Sequence, residues 1–140
     1  MSQTQVAAAV VVIKNSEILM LKRKGSEGDG TWAIPGGKVD FMEDPADAVL
    51  RELTEETGIK GSSVEFIGYT NDIHKESNKH FVTMRFICKD FSGEPRVAEP
   101  NKCSKISWFS LDTLPSPLFG PTMNLLTDKT VLQKIQTAMS

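Results

Sequence analysis

Three glutamates, Glu52, Glu55 and Glu56, fall within five residues directly behind Arg51. Residues three and four apart share one face of a helix, so on a helix these carboxylates crowd together. Like charges at that spacing destabilise an isolated helix, and the helix dipole disfavours anions in a last turn. Two arrangements meet this cost. One is a solvated face relieved by Arg51 and Lys60. The other is a divalent cation: Mg²⁺ prefers hard oxygen ligands in an octahedron, keeps several waters, and is held by one or two carboxylates plus substrate phosphates. The second arrangement carries phosphoryl chemistry, because metal ions neutralise phosphate charge, lower the pKa of a bound water and hold both in line for displacement.

The elements around the glutamates have to place them. Asp44 is suited to capping free amides, Pro45 to a first turn and Gly58 to a left-handed stop, so the pattern predicts a helix over 45–57. Ala46, Val49, Leu50 and Leu53 recur at three- and four-residue spacing and predict its apolar face. Upstream, "QVAAAVVVI" and "EILMLKRK" flank the polar break Lys14-Asn15-Ser16 and predict a hairpin. "GSEGDG", residues 25–30, predicts a mobile surface loop able to sit over a ligand. Downstream, strands are expected at 64–72, 80–90 and 105–110, a short capped turn of helix at 110–115, and a helix or broken pair of helices from about Met123 to Ala138. The pattern is that of a mixed sheet with helices.

At 140 residues the chain is expected to form one domain, 1–140, with no linker and no repeat. A formal charge of -2 argues against broad capture of duplex nucleic acid. Cys88 and Cys103 lack metal-ligand spacing and read as buried, reduced thiols, which suits a cytoplasmic location. The most apolar run, Val6 to Ile13, is too short to cross a bilayer and has no positive segment before it, so neither a membrane span nor a signal peptide is expected. His74 and His80 have no partner spacing and read as surface or strand-end residues, and Trp32 and Trp108 as core packing. Arg23, flanked by Lys22 and Lys24, reads on its own as a solvated strand end or as an anion contact.

Gly37, Glu43, Arg51-Glu52-Leu53, Glu55-Glu56 and Gly58-Ile59 together match every fixed position of the Nudix box, residues 37–59. Coincidence of these nine constrained positions in 23 residues is expected about once in ten million chains at average residue frequencies, which sets the solvated-face reading aside. The chain thus resembles the Nudix hydrolases, which cleave nucleoside diphosphates linked to another moiety. From about Val6 to Pro115 it looks like the MutT-like nucleoside-triphosphate diphosphatases. That resemblance implies an α/β/α sandwich with a central mixed β-sheet. It implies a Mg²⁺ site, with Mn²⁺ as a substitute, formed by Glu52, Glu56, the Gly36 carbonyl, Glu55 directly or through water, and Glu99. It makes Glu52 the first choice of general base and Arg51, with Glu43, a support that orients a glutamate. Arg23 takes the place of a phosphate-contacting arginine, Gly37 lies in the phosphate-binding segment, and Thr83 and Phe119 resemble base-pocket positions. The expected reaction is hydrolysis of a nucleoside or deoxynucleoside triphosphate to the monophosphate and pyrophosphate. Cleavage of ADP-ribose, a nucleotide sugar or a dinucleoside polyphosphate, and a non-catalytic nucleotide-binding role, stay open at this point. The expected partner is a small-molecule nucleotide, and the pairing of relatives implies a homodimer.

Overall fold

The computed structural model describes residues 2–25 and 27–140; Met1 and Ser26, the latter within the expected glycine-rich loop, lie outside the described residues. The expected hairpin forms from β1 (Thr4–Lys14) and β2 (Glu17–Arg23), turning on Asn15 and Ser16, which both take positive φ. Then come β3 (Trp32–Ala33), β4 (Gly36–Lys38), α1 (Pro45–Thr57), the long strands β5 (Lys60–His74) and β6 (Lys79–Ser92), and β7 (Cys103–Phe109). A 3-10 turn at Leu111–Thr113 stands where a short helix is expected, capped by the Ser110 hydroxyl, which accepts from the Asp112 N–H. The tail is the broken pair: α2 (Gly120–Thr127) and α3 (Lys129–Met139), parted at Asp128, whose carboxylate caps α3 by accepting from the Val131 N–H.

β1 is the axis of the mixed sheet. It runs parallel to β6 from Thr4 to Val12, while its opposite edge pairs antiparallel first with β4 and then with β2. β5 closes one side against β6, and β3 and β7 flank β2. Side chains alternate across a strand, so a strand covered on both faces reads as a continuous apolar run. In β1, Ala8, Val10 and Val12 pack toward Ala48, Val49 and Leu53 of α1. Ala9, Val11 and Ile13 pack toward Leu125, Val131 and Ile135 of the two C-terminal helices. The result is the α/β/α sandwich. Full burial of a side chain such as Leu53 or Ile135 contributes roughly 1.5–3 kcal/mol. Among the described residues no helix is long and apolar enough to cross a membrane.

α1 follows its local signals. The Asp44 carboxylate accepts from the Ala46 N–H at 2.8 Å, and Gly58 takes the left-handed conformation at φ 78°. Its deepest residues are Ala48, Val49, Leu53 and Thr57, with Ala46 and Leu50 half-buried at the rim, so the buried face is rotated from the predicted stripe. The Thr57 hydroxyl tolerates full burial because it donates to the Leu53 carbonyl at 2.7 Å. Cys88 and Cys103 are buried and free, and burial pushes both thiols up from the ordinary range. Trp32 and Trp108 pack against the two cores as expected.

Candidate active site

α1 and β4 face one another, and their contact is built on glycine. A Cβ on Gly37 would stand 2.6 Å from the Glu52 carboxylate, and one on Gly36 would stand 2.5 Å from the Ala8 carbonyl oxygen. Only glycine lets the β4 backbone come this close to both β1 and the helix carboxylates. The Gly36 N–H donates to Glu56 Oε1 at 2.9 Å, which locks the last turn of α1 onto the strand. Glu52, Glu56 and Glu99 line one chamber of about 510 Å³, with Arg23, Lys24, Lys38 and Lys102 also in its wall. This size suits a ligand with the bulk of a nucleotide.

Burial sets the electrostatics of this chamber. It pushes the Glu56 carboxyl up to about 8, reinforced by the charges of Glu52 and Glu99 and opposed by the Gly36 N–H and Arg23. Burial also raises Glu52; Arg51 opposes this, while Glu55 and Glu99 add to it. A carboxylate pushed toward its neutral form by burial and by like charges is favoured in its charged form by a cation beside it. The donors are hard oxygens, which fits Mg²⁺ or Mn²⁺ and not a soft thiophilic ion. Among the described residues no three acidic, histidine or cysteine side chains converge closely enough to clasp one ion by themselves. An ion held here would have to take part of its shell from water and substrate phosphate, as Mg²⁺ ordinarily does.

Glu55 and Arg51 stand apart from the chamber. The Arg51 guanidinium grips Glu43 in a two-pronged contact, Nε to Oε2 at 2.8 Å and Nη2 to Oε1 at 3.0 Å. Its Nη1 donates to Glu52 at 3.1 Å and to Glu55 at 3.3 Å. The Arg51 hydrogen bonds, with the Asp40 N–H, hold Glu43 down at about 2. Arg51 therefore relieves much of the glutamate repulsion and turns the exposed Glu55 toward the flank of the helix, while Glu52 and Glu56 reach the chamber.

A second chamber, of about 240 Å³, adjoins the first through a shared wall of Arg23, Ala33, Ile34, Gly36, Gly37 and Lys38. It is mostly apolar, lined by Ala7, Ala9, Phe81, Phe119 and Pro121, with Thr83 and Arg85 at its buried end. The Arg23 guanidinium lies over the Phe119 ring, 3.9 Å from the centroid, and its Nε donates to the Glu27 carbonyl at 3.0 Å. Burial lowers Arg23 from its ordinary value, with Glu56 and Glu27 pulling the other way, so its charge is drawn toward the acidic chamber. The structure thus brings Arg23, Gly36, Gly37, Glu52, Glu56, Glu99, Thr83 and Phe119 to one continuous cleft.

Several residues here were not singled out by sequence reasoning. Glu27 fastens the glycine-rich loop to the β5–β6 turn: it accepts from Ser77 Oγ at 2.5 Å and lies 3.3 Å from His74 Nδ1 and 3.5 Å from Lys79 Nζ. His74, expected at the surface or a strand end, is the last residue of β5 and a half-buried wall of the apolar chamber, 6.0 Å from the Phe119 ring. Asp72 and Arg85, both fully buried, form an ion pair at 3.4 Å beneath Thr83. Their signal was available in the alternation, since Thr70, Asp72, Thr83 and Arg85 occupy inward positions of a hairpin where apolar residues are the rule.

This sandwich, with glutamates of one helix and an arginine facing across a two-chambered cleft, defines the Nudix class of pyrophosphohydrolases. Residues 3–129 match the NUDIX domain, and the chain belongs to that family, whose hydrolases cleave pyrophosphate bonds. Enzymes of the family use divalent metals and act on small-molecule nucleotide substrates. The chain is 31% identical over 114 residues to the ADP-ribose pyrophosphatase of Methanocaldococcus jannaschii, covering 81% of this chain and 66%, just under two thirds, of that protein. It is 27% identical over 124 residues to the 8-oxo-dGTP diphosphatase of Escherichia coli, covering 86% and 91% of the two chains. The crystal structure of the MutT NUDIX hydrolase from Burkholderia pseudomallei is similar at a TM-score of 0.84 and 37% identity, over 87% of this chain and 95% of that one.

Proposed function

We propose that this protein hydrolyses a nucleoside or deoxynucleoside triphosphate to the monophosphate and pyrophosphate, with Mg²⁺ as its resident ion and Mn²⁺ as a substitute. One observation carries the reading: an apolar chamber and an acidic chamber share a wall, with Arg23 at their junction. The base occupies the apolar chamber beside Phe119 and Thr83. The phosphates pass Arg23, whose planar fork suits bidentate contact with phosphate oxygens, and run along the glycine backbone of β4 into the acidic chamber.

Glu52, Glu56 and Glu99 would hold the ion, joined by the Gly36 carbonyl; Glu55, drawn to the flank by Arg51, would not reach it. When bound, the ion supplies neutralisation of phosphate charge and a water of lowered pKa. The remaining work belongs to the chain. Glu52 takes the proton of the attacking water. Arg51 fixes the rotamer of Glu52 and is itself fixed by Glu43. Lys24, Lys38 and Lys102 offset the charge of the departing pyrophosphate, and the Phe119–Arg23 stack keeps the guanidinium in register with the phosphates.

The test is a panel of nucleoside triphosphates, diphosphates, nucleotide sugars and ADP-ribose with Mg²⁺, ranked by kcat/KM with pyrophosphate and phosphate release measured separately. Pyrophosphate release from triphosphates at the top of the ranking is the expected result. The name of the M. jannaschii relative favours a second reading, cleavage of ADP-ribose, and turnover confined to ADP-ribose would replace the first by the second.

A further inference from the structure

The buried ion pair beneath the apolar chamber has no evident use in stability. Replacing such a pair by apolar residues is often neutral or stabilising, because two charges have been stripped of water. Its geometry shows another use. Every hydrogen bond that Arg85 makes among the described residues leaves from Nε or Nη2: to Thr70 Oγ1 at 3.0 and 2.9 Å, to Asp72 Oδ2 at 3.4 Å and to the Pro121 carbonyl at 2.7 Å. These hold the guanidinium plane on several sides. No fully buried side-chain nitrogen or oxygen among the described residues lacks a partner, so Nη1, which donates to none of them, is not completely sealed off. Arg85, almost fully buried, lines the apolar chamber, which is the space its uncommitted donor can face.

Thr83 stands beside it. Its hydroxyl donates to Asp72 Oδ2 at 2.5 Å, the same oxygen that Arg85 Nη2 contacts, so its proton is committed and its oxygen is left as an acceptor. Asn124 Nδ2 donates to the other Asp72 oxygen at 2.8 Å and keeps the carboxylate from rotating. The floor of the chamber therefore offers a fixed cationic donor next to a fixed neutral acceptor.

We propose that Arg85 and Thr83 read the edge of the nucleobase and select a keto–imide edge, an exocyclic C=O beside a ring N–H, as on 6-oxopurines and 4-oxopyrimidines. Such an edge meets Arg85 with its oxygen and Thr83 with its N–H. A 6-aminopurine or 4-aminopyrimidine reverses both, setting an amine against the guanidinium and a ring nitrogen lone pair against the hydroxyl oxygen. A site whose buried polar groups are left unpaired rejects a ligand strongly. Asp72 acts through the other two and is a positioning residue. The inference deepens the nucleotide reading of the cleft and rests on it.

ITP and ATP differ at this edge and share the sugar and phosphates, so the wild-type enzyme is assayed with both, and IMP and AMP are compared by calorimetric binding. The expected preference for the oxo member is at least about tenfold in kcat/KM and in affinity. UTP against CTP repeats the comparison on the smaller ring. The double substitution Asp72→Asn with Arg85→Met, which orphans no charge, should bring the ITP-to-ATP ratio close to one; Thr83→Val, which keeps the ion pair, should lower the ratio if the double variant does not fold. Turnover with ATP equal to or better than ITP overturns the base assignment and leaves the proposed function standing. Absence of turnover on every nucleotide, with IMP still bound at least tenfold tighter than AMP, overturns the function and upholds the base assignment.

Discussion

Glu56 gives a prediction that separates the cost of the site from its activity. A carboxyl whose pKa is higher in the folded than in the unfolded chain binds its proton more tightly when native. The stability it contributes is fully present below its ordinary value of 4.5 and is lost as pH rises through about 8. One pKa unit is about 1.36 kcal/mol, so raising the metal-free protein from about pH 5 to about pH 8.5 should remove on the order of 3 kcal/mol, with Glu52 shifted in the same direction. Glu43 lies outside this window: its pKa is depressed to about 2, and its contribution is lost only as pH falls through that value. Glu56→Gln cannot ionise, and its amide oxygen still accepts from the Gly36 N–H. The variant should therefore be more stable than wild type in EDTA at about pH 8.5, by roughly 10 °C in Tm for a chain of this size, and nearly equal to it at about pH 5. Adding Mg²⁺ should restore the wild type through binding linkage and leave the variant unchanged. Urea and thermal unfolding at the two pH values check this. A wild-type stability that is flat across the range in EDTA, or a variant that is weaker at the alkaline end, would refute the account of Glu56 as a carboxyl raised by its burial.

The same substitution should cut turnover by orders of magnitude while the circular dichroism spectrum is retained, as steady-state kinetics would show. Gly37→Ala places a methyl group 2.6 Å from the Glu52 carboxylate, so it should weaken metal activation and kcat together; titration of activity against Mg²⁺ reads the shift, and an unchanged titration counts against the packing argument. Arg23→Lys keeps the charge but loses the planar fork and weakens the stack on Phe119, and should raise KM by about 10-fold or more with a smaller change in kcat. Chelation by EDTA should abolish activity and excess Mg²⁺ or Mn²⁺ should return it; activity that survives exhaustive chelation would contradict the role given to Glu52, Glu56 and Glu99.

The helix that carries the glutamates was legible because its determinants are local. Asp44, Pro45 and Gly58 act within one turn of where they stand, and each does in the fold what its chemistry predicts. The β1–β2 hairpin was legible for the same reason. The depth of α1 was not: whether Ala48 or Leu50 lies deepest depends on the sheet surface it meets, which is made by β1, β5 and β6 from distant parts of the chain. Nor was the division of labour among the glutamates. Spacing places Glu52, Glu55 and Glu56 together, but Arg51, tied to Glu43, draws Glu55 to the flank, and only the approach of β4 decides which carboxylates become buried.

What the sequence determined alone is the chemistry that could occur, hard oxygen donors on a helix beside a glycine strand, because residue type and short-range spacing carry that information. What only the tertiary structure decided is where this chemistry meets a substrate. Glu27 reaches across 50 positions to Ser77, and Asp72 is held by Arg85 from the neighbouring strand and by Asn124 from α2. These contacts form because strand pairing and helix docking bring them together. A bulge near Gly68 shifts which β5 side chains face inward, and no local pattern announces such a shift.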